Sequence, residues 1–337
     1  MEWGIQKMKI LVTGATGFLG KRTAVMLKEA GHEVIGMGRN MVKGDELKPH
    51  DVHFYNANLL DYDTMKQAFY KADAVVHCAA LSSPWGKYDD FYQANVVATQ
   101  NVIKACEEFD VKRLVHISTP SLYFRYDDRL NVAENDPLPD KKVNHYAQTK
   151  RLAEAEVQAA AERGLETIIL RPRAIFGPED TTILPRLILA NEKSGLPKFN
   201  TDEVIIDLTY VDNVVHAIQL SLNAPEKCLG EIYNITNGEQ VSLHGILGKL
   251  FQTLNIPMKT KPLPYSLVFN ISGLLEWVYQ TFTKKEPVLT RYSVSVLGKS
   301  QTLNVEKAKK LLGYEPIVSV DEGVDLFAIW WNSQHNR

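Results

Sequence analysis

The sequence is short of cysteine, of charge imbalance and of long apolar runs. Only Cys78, Cys106 and Cys228 occur in 337 residues, and no two form a C-x-x-C pair. That argues against a disulfide framework or a zinc ribbon and suits a reducing, cytoplasmic setting. Lys plus Arg number 38 and Asp plus Glu 40, a formal net charge of −2. Such balance lacks the concentrated positive field that nucleic acid requires, so no nucleic-acid partner is expected. No stretch offers the roughly 20 unbroken apolar residues of a membrane span. The nearest, Tyr265–Phe282, is interrupted by Asn270, Ser272, Gly273, Glu276 and Gln280, and reads as a buried or partly buried helix. The N-terminus MEWGIQKMKILVTG has no apolar core with a small-residue cleavage site, so no signal peptide is expected. Residues 1–7 read as an extension ahead of Met8. His77, His116 and His216 do not stand at ligand spacing, and no metal site is expected.

What is present is an ordinary globular composition, 45% hydrophobic and 23% charged, which excludes wholesale disorder. The length fits roughly two domains. Through the first 170 residues, apolar runs alternate with helical patterns. The runs are Lys9–Val12, Glu33–Met37, Val52–Asn56, Ala74–His77, Arg113–Ile117 and Glu166–Leu170; helical patterns cover Phe18–Ala30, Phe91–Glu108 and Tyr146–Arg163. This alternation predicts an α/β fold, a doubly wound parallel sheet of Rossmann type covered on both faces. After Arg171 the pattern loosens around Pro172, Pro178, Pro185 and Pro197. Helical patterns return at about Asn213–Leu222, Leu243–Leu254, Asn304–Leu312 and Asp321–Trp331, with one more strand at Glu231–Ile235. The expected division is discontinuous. A cofactor-binding domain takes 8–172 and about 208–236, and a smaller substrate lobe takes about 173–207 and 237–333, with ligands between the two.

The strongest motif is Thr13-Gly14-Ala15-Thr16-Gly17-Phe18-Leu19-Gly20, between the first strand and the first helix. Glycines at 14, 17 and 20 permit a tight turn and bring backbone N–H groups up to a pyrophosphate, which then faces the helix N-terminus. Thr16, Phe18 and Leu19 share this loop and are counted with Gly14 and Gly17 as cofactor contacts. An NAD site usually ends its second strand in an acid that binds the ribose 2′-hydroxyl. Here that position is Gly38, followed by Arg39, 19 residues after Gly20. A guanidinium can fork onto a 2′-phosphate, so NADP(H) is favoured over NAD(H). Asn58 and Leu59, after the third strand, are expected at the adenine.

Tyr146-Ala147-Gln148-Thr149-Lys150 places a phenol and an ammonium four residues apart, on one side of a helix. A phenol near pKa 10 is a poor acid–base group at neutral pH, and a nearby cation lowers it. Lys150 is expected to play that part, so that Tyr146 exchanges a proton while hydride moves to or from a nicotinamide. The strand Arg113–Ile117 runs into Ser118-Thr119-Pro120-Ser121, hydroxyls at the carboxyl end of a sheet strand, where ligands bind. Thr119 is expected to bond a substrate oxygen beside Tyr146. Ser118 and Ser121 are candidates for cofactor and substrate, or simply turn formers.

In order and spacing over residues 8–333, Thr13–Gly20, His77-Cys78-Ala79-Ala80, Ser118-Thr119, Tyr146–Lys150 and Leu170-Arg171-Pro172 resemble the extended short-chain dehydrogenase/reductases. The resemblance implies that Ala79 and Ala80 line the nicotinamide ribose, that Lys150 holds it, and that Pro172 and Ile175 lie beside the nicotinamide. It also makes Asn95, in Asn95-Val96-Val97-Ala98-Thr99, a structural position near the cofactor. Sugar-nucleotide enzymes of the family carry an Arg before the segment here written Tyr210-Val211-Asp212, and Val204–Thr209 contains none. Ala80–Gly86, Arg171–Pro178 and Leu289–Tyr292 instead resemble the branch of 3β-hydroxysteroid and sterol-4-carboxylate dehydrogenases and long-chain β-keto acid reductases. Ser82 and Trp85 then belong to the substrate side, and Trp85 and 265–282 either line an apolar pocket or pack ordinarily. The expectation is an NADP(H)-dependent oxidoreductase acting on a ketone or secondary alcohol of a small or hydrophobic substrate. A nucleotide-sugar epimerase or dehydratase with a recycled cofactor is the alternative, and an NADP(H)-binding protein without turnover a third reading. By resemblance, Tyr88–Glu107 and Tyr146–Arg163 suit a homodimer interface.

Overall fold

The computed structural model describes residues 7–199, 202–282, 287 and 289–335. Of the expected N-terminal extension, residues 1–6 lie outside the described residues. Seven strands form one parallel sheet in the order Glu231–Ile235, Glu166–Pro172, Arg113–Ile117, Ala74–His77, Lys9–Thr13, Glu33–Gly38, His53–Asn56. Each lies within two residues of the run expected from the sequence. Successive side chains of a strand point to opposite faces. Ile10 and Val12 join one buried cluster with Val76, Val115 and Leu170, whereas Leu11 joins the other with Val75, Leu114 and Ile169. Helices Phe18–Glu29 and Val211–Leu222 cover the first face; Ala98–Glu108 and His145–Glu162 cover the second. Burial on both faces is why these strands read as continuous apolar runs.

A four-stranded sheet, Gln240–Ser242, Ile205–Asp207, Gln301–Leu303 and Arg129–Val132, lies apart from the large one. A third core gathers Phe176, Ile188, Leu208, Tyr210, Phe251, Val324 and Phe327. The chain crosses between the two regions several times. Arg129–Val132, from the first half of the sequence, pairs with Gln301–Leu303. Ala308, Leu312 and Tyr314, from near the end, pack under the large sheet.

Tyr265–Phe282 is a helix, and it is partly buried, as expected. Only Ser272 and Gly273 are buried, while Leu267, Ile271, Leu274, Trp277 and Phe282 are exposed. The face that packs meets the neighbouring helix Arg291–Gly298 with Tyr265, Phe269 and Glu276 as well as these small residues. A Cβ on Gly273 would fall 2.0 Å from Nη2 of Arg291. The exposed apolar side chains lie on the opposite face. The helix expected at Asn304–Leu312 is shorter and begins at Glu306.

Candidate active site

The strand order reverses between Lys9–Thr13 and Ala74–His77, which opens a crevice at their carboxyl ends. The glycine turn sits there. Gly14 has φ +72°, and a Cβ on it would lie 2.7 Å from the Ala79 backbone nitrogen. A Cβ on Gly20 would lie 2.2 Å from the Gly14 carbonyl oxygen. Gly17 begins the helix Phe18–Glu29 with no side-chain cap, so the first-turn amides, those of Phe18 and Leu19 among them, are open to an anion. Thr16 is half-buried beside the end of the second strand, where a Cβ on Gly38 would meet its side chain at 2.9 Å. A side chain at the usual acid position would therefore have to displace that of Thr16. Arg39 follows, exposed, and forms no ion pair among the described residues.

The other expected cofactor positions lie on neighbouring strand ends. Asn58 is exposed, and its Oδ1 accepts from Leu60 N at 3.1 Å; Leu59 is half-buried, and its carbonyl accepts from Asn101 Nδ2 at 2.8 Å. Ala79 is half-buried and Ala80 exposed at the mouth of the crevice. Pro172 ends its strand buried, and Ile175 is half-buried in a short pairing with Thr209–Tyr210. Ser118 is buried, and its Oγ has no hydrogen-bond partner. The Cβ-free cradle, the uncapped helix start and this buried hydroxyl fit a dinucleotide.

Asn144 caps the helix His145–Glu162 by accepting from Ala147 N at 2.9 Å, which sets Tyr146 in the first turn and Lys150 one turn on. Burial pushes the Tyr146 phenol above its ordinary pKa, and hydrogen bonds with Ser82 and Thr119 act the other way. Lys150 is not among the groups that shift it, so the lowering expected from the Tyr146–Lys150 spacing is not found in the protein alone. The reason is where the ammonium points. Lys150, 1% exposed, donates to the Ile117 carbonyl at 2.7 Å and faces His116 Nε2 at 3.0 Å. Burial brings its pKa down to about 8, against the pull of Glu154.

Beneath the crevice a buried polar chain ties these strands together. Thr13 Oγ1 contacts His77 Nδ1 at 2.7 Å, and His77 Nε2 contacts Thr99 Oγ1 at 3.0 Å. Asn95 Nδ2 donates to Thr149 Oγ1 at 3.0 Å, and Asn95 Oδ1 accepts from Leu81 N at 2.7 Å. Asn95 therefore pins the loop that carries Ser82 to the helix that carries Tyr146. Among the described residues no group of His, Cys, Asp and Glu is arranged to hold a metal.

On the substrate side the hydroxyls run outward in series. Thr119 Oγ1 donates to Ser121 Oγ at 3.0 Å, and Ser121 Oγ contacts the Tyr292 hydroxyl at 3.3 Å. Tyr292 packs on Phe124 at 4.8 Å between ring centroids, and Tyr126 links Phe124 to Phe269 of the exposed helix. This aromatic row makes an apolar flank. Trp85 is half-buried, its backbone held by the Ser83 hydroxyl, and makes no ring contact among the described residues. Sequence reasoning did not single out Tyr292 or His116 for the site. Tyr292 arrives from 171 residues beyond Ser121, and His116 is placed by strand register against His77.

Comparison with known proteins agrees with this geometry. Residues 10–236 match the NAD dependent epimerase/dehydratase family. The chain is 34% identical over 323 residues to a 2-alkyl-3-oxoalkanoate reductase of Stenotrophomonas maltophilia, spanning 94% of this chain and 97% of that protein. It is 31% identical over 331 residues to the decarboxylating sterol-4-alpha-carboxylate 3-dehydrogenase of Mus musculus, spanning 94% and 89%. In structure it resembles UDP-glucuronic acid 4-epimerase from Bacillus cereus in complex with NAD, with TM-score 0.76 and 23% identity over 97% of this chain and 100% of that one; at that identity the likeness concerns the fold. The chain belongs to the NAD dependent epimerase/dehydratase family, as an extended short-chain dehydrogenase/reductase.

Proposed function

We propose that the protein is an NADP(H)-dependent oxidoreductase that interconverts a ketone and a secondary alcohol on a small or hydrophobic substrate, sterol-like or β-keto acid-like. The observation that carries this reading is the meeting of Tyr146 with the Ser82 and Thr119 hydroxyls at the strand ends beside the glycine turn. The names of both relatives above describe an oxygen-bearing carbon β to a carboxylate, and the aromatic row Tyr292–Phe124–Tyr126–Phe269 supports an apolar body.

The residues divide the work. The Gly14–Gly20 turn and the start of its helix hold the pyrophosphate; Ala79, Ala80, Pro172 and Ile175 flank the nicotinamide and its ribose. The bound cofactor supplies hydride exchange at the nicotinamide. Thr119 orients the substrate oxygen. In reduction, Tyr146 gives its proton to that oxygen as the carbonyl carbon becomes a carbinol; in oxidation it takes the proton back. Lys150, fixed by Ile117 and His116, reaches the ribose. The proposed division assigns 8–172 and about 208–236 to the cofactor and 173–207 and 237–333 to the substrate. The separate core that holds Ile188, Phe251 and Phe327 supports the substrate part, while Ala308, Leu312 and Tyr314 pack with the large sheet and Leu208 and Tyr210 with the separate core.

The test is NADPH oxidation at 340 nm against a graded series of ketones, aldehydes and β-keto acids. Product from a UDP-sugar with no net absorbance change would replace this reading with epimerisation. Arg39 carries the cofactor preference, and its side chain is free among the described residues to fork onto a 2′-phosphate. Arg39→Ala is expected to raise the KM for NADPH roughly 10-fold or more while sparing NADH. Equal affinity of the unaltered protein for the two cofactors would remove this role. A homodimer formed through Tyr88–Glu107 and Tyr146–Arg163 is part of the same proposal. A particle of one chain's mass in light scattering would contradict it.

A further inference from the structure

Next to Pro172 lies a half-buried cation with bonding capacity left over. Arg173 follows Pro172 at the end of its strand. Its Nη1 donates to Gln301 Oε1 at 2.6 Å, but its Nε is buried without a partner. Gln301 is 5% exposed, and its Nε2 is likewise buried and unpartnered. Two adjacent donors, one of them cationic, thus stand in the interior with no acceptor. Buried donors in this state are costly, and native proteins supply them with an acceptor. The nearest acid does not do so. Asp207 attracts Arg173 through space, yet forms no ion pair with it among the described residues, and its Oδ2 accepts from Leu303 N at 2.5 Å.

The position is as informative as the orphaned donors. The Tyr292 phenol acts electrostatically on both Arg173 and Tyr146, and it ends the hydroxyl series that starts at Thr119. Arg173 itself directly follows Pro172 at the carboxyl end of the strand Glu166–Pro172, the end of the sheet where ligands of such folds bind. A guanidinium with a free edge matches the paired oxygens of a carboxylate, and the Gln301 amide adds a neutral donor next to it.

We propose that Arg173 and Gln301 form a carboxylate subsite that selects substrates bearing an acid group near the oxygen being reduced or formed. This rests on the oxidoreductase reading above and names the residues that set its specificity. Asp207, buried and bonded to the backbone, is the competing anion. Because it is held away from direct contact, the unbonded edge of the guanidinium is left for an incoming carboxylate.

The experiment measures NADP+ reduction by two probes, 3-hydroxydecanoate and its methyl ester, which differ in the charge. The unaltered protein is expected to prefer the acid, and Arg173→Gln to shrink the acid-to-ester ratio of kcat/KM roughly 10- to 100-fold. The loss should lie mainly in KM, with partial recovery in Arg173→Lys. Gln301→Leu should shrink the same ratio less. NADPH binding by fluorescence shows that each variant is folded. If the unaltered protein turns over both probes equally well, the subsite is wrong even should every variant misfold. An equal drop for acid and ester in Arg173→Gln also overturns it, leaving Arg173 as a structural counterpart of Asp207. Failure to oxidise either probe with NADP+, while a plain secondary alcohol is oxidised, likewise rejects the subsite. Inactivity with every alcohol and ketone rejects the oxidoreductase reading itself.

Discussion

Tyr146→Phe is expected to bind NADPH as the unaltered protein does and to lose turnover by roughly 10²- to 10⁴-fold, the range a positioned acid–base group contributes. The substitution removes one oxygen and leaves the ring, the Asn144 cap and the helix in place. Cofactor affinity should therefore not move, because no expected contact with the pyrophosphate involves the phenol. The pH dependence carries further information. Burial raises the Tyr146 pKa, so the phenol stays protonated to a higher pH than a free tyrosine. In that form it is the donor needed for ketone reduction, and kcat/KM for reduction should be flat through neutrality. Oxidation needs the deprotonated form, and its kcat/KM should climb as pH rises. Thr119→Val should lower the rate less, because it removes orientation and not the proton. Near-normal turnover in Tyr146→Phe would end the proposed mechanism.

The second large effect lies behind the site. Arg171 and Glu154 are 2% and 3% exposed, and the guanidinium forks onto the carboxylate at 2.8 and 2.5 Å. Arg171 also donates to the Tyr123 hydroxyl, which donates in turn to Asn234 Oδ1 at 3.0 Å. Arg171→Met strands a carboxylate in the interior, and loss of one partner of such a pair typically costs about 3–5 kcal/mol. The Arg171→Met, Glu154→Leu double variant removes both charges and should regain much of that loss. Urea unfolding of the unaltered protein, Arg171→Met, Glu154→Leu and the double variant measures the coupling. Additive losses would mean that the pair contributes no mutual stabilisation. Since Glu154 stands one turn beyond Lys150 and raises its pKa, the double variant should also bring Lys150 to deprotonation at a lower pH. Activity that depends on the ammonium would then fail earlier on the alkaline side.

These two expectations differ in how far the sequence alone reaches. The glycine turn and the Tyr146–Lys150 spacing are local patterns, and their geometry follows from one strand end and one helix. The seven strands were legible because burial on both faces writes itself as apolar runs. Where function depends on residues meeting from distant segments, the sequence is silent. Tyr292 reaches Ser121, and Gln301 reaches Arg173, only because the small lobe folds back over the sheet. Lys150 turns away from Tyr146 because strand register sets His116 within its reach, and helical spacing contains nothing of that. Tyr265–Phe282 shows another limit: hydropathy marked its apolar residues, but not that Phe269 would meet Tyr126 and Arg291 while Leu267 and Trp277 stayed exposed.

The two imidazoles under the crevice have a consequence for any rate profile. Burial drives the His77 pKa down to about 3 and lowers that of His116 well below the ordinary histidine value, with Lys150 adding to both. Across neutral pH both rings are uncharged. Since the Lys150 ammonium can only donate, His116 must present a bare Nε2 to it and keep its proton on Nδ1. The floor of the site is therefore electrically quiet in the range where histidines usually respond. An inflection near pH 6.5 in this enzyme's activity would have to originate in the substrate, in a histidine elsewhere on the chain or in Asp207, whose carboxyl burial pushes up to about 6.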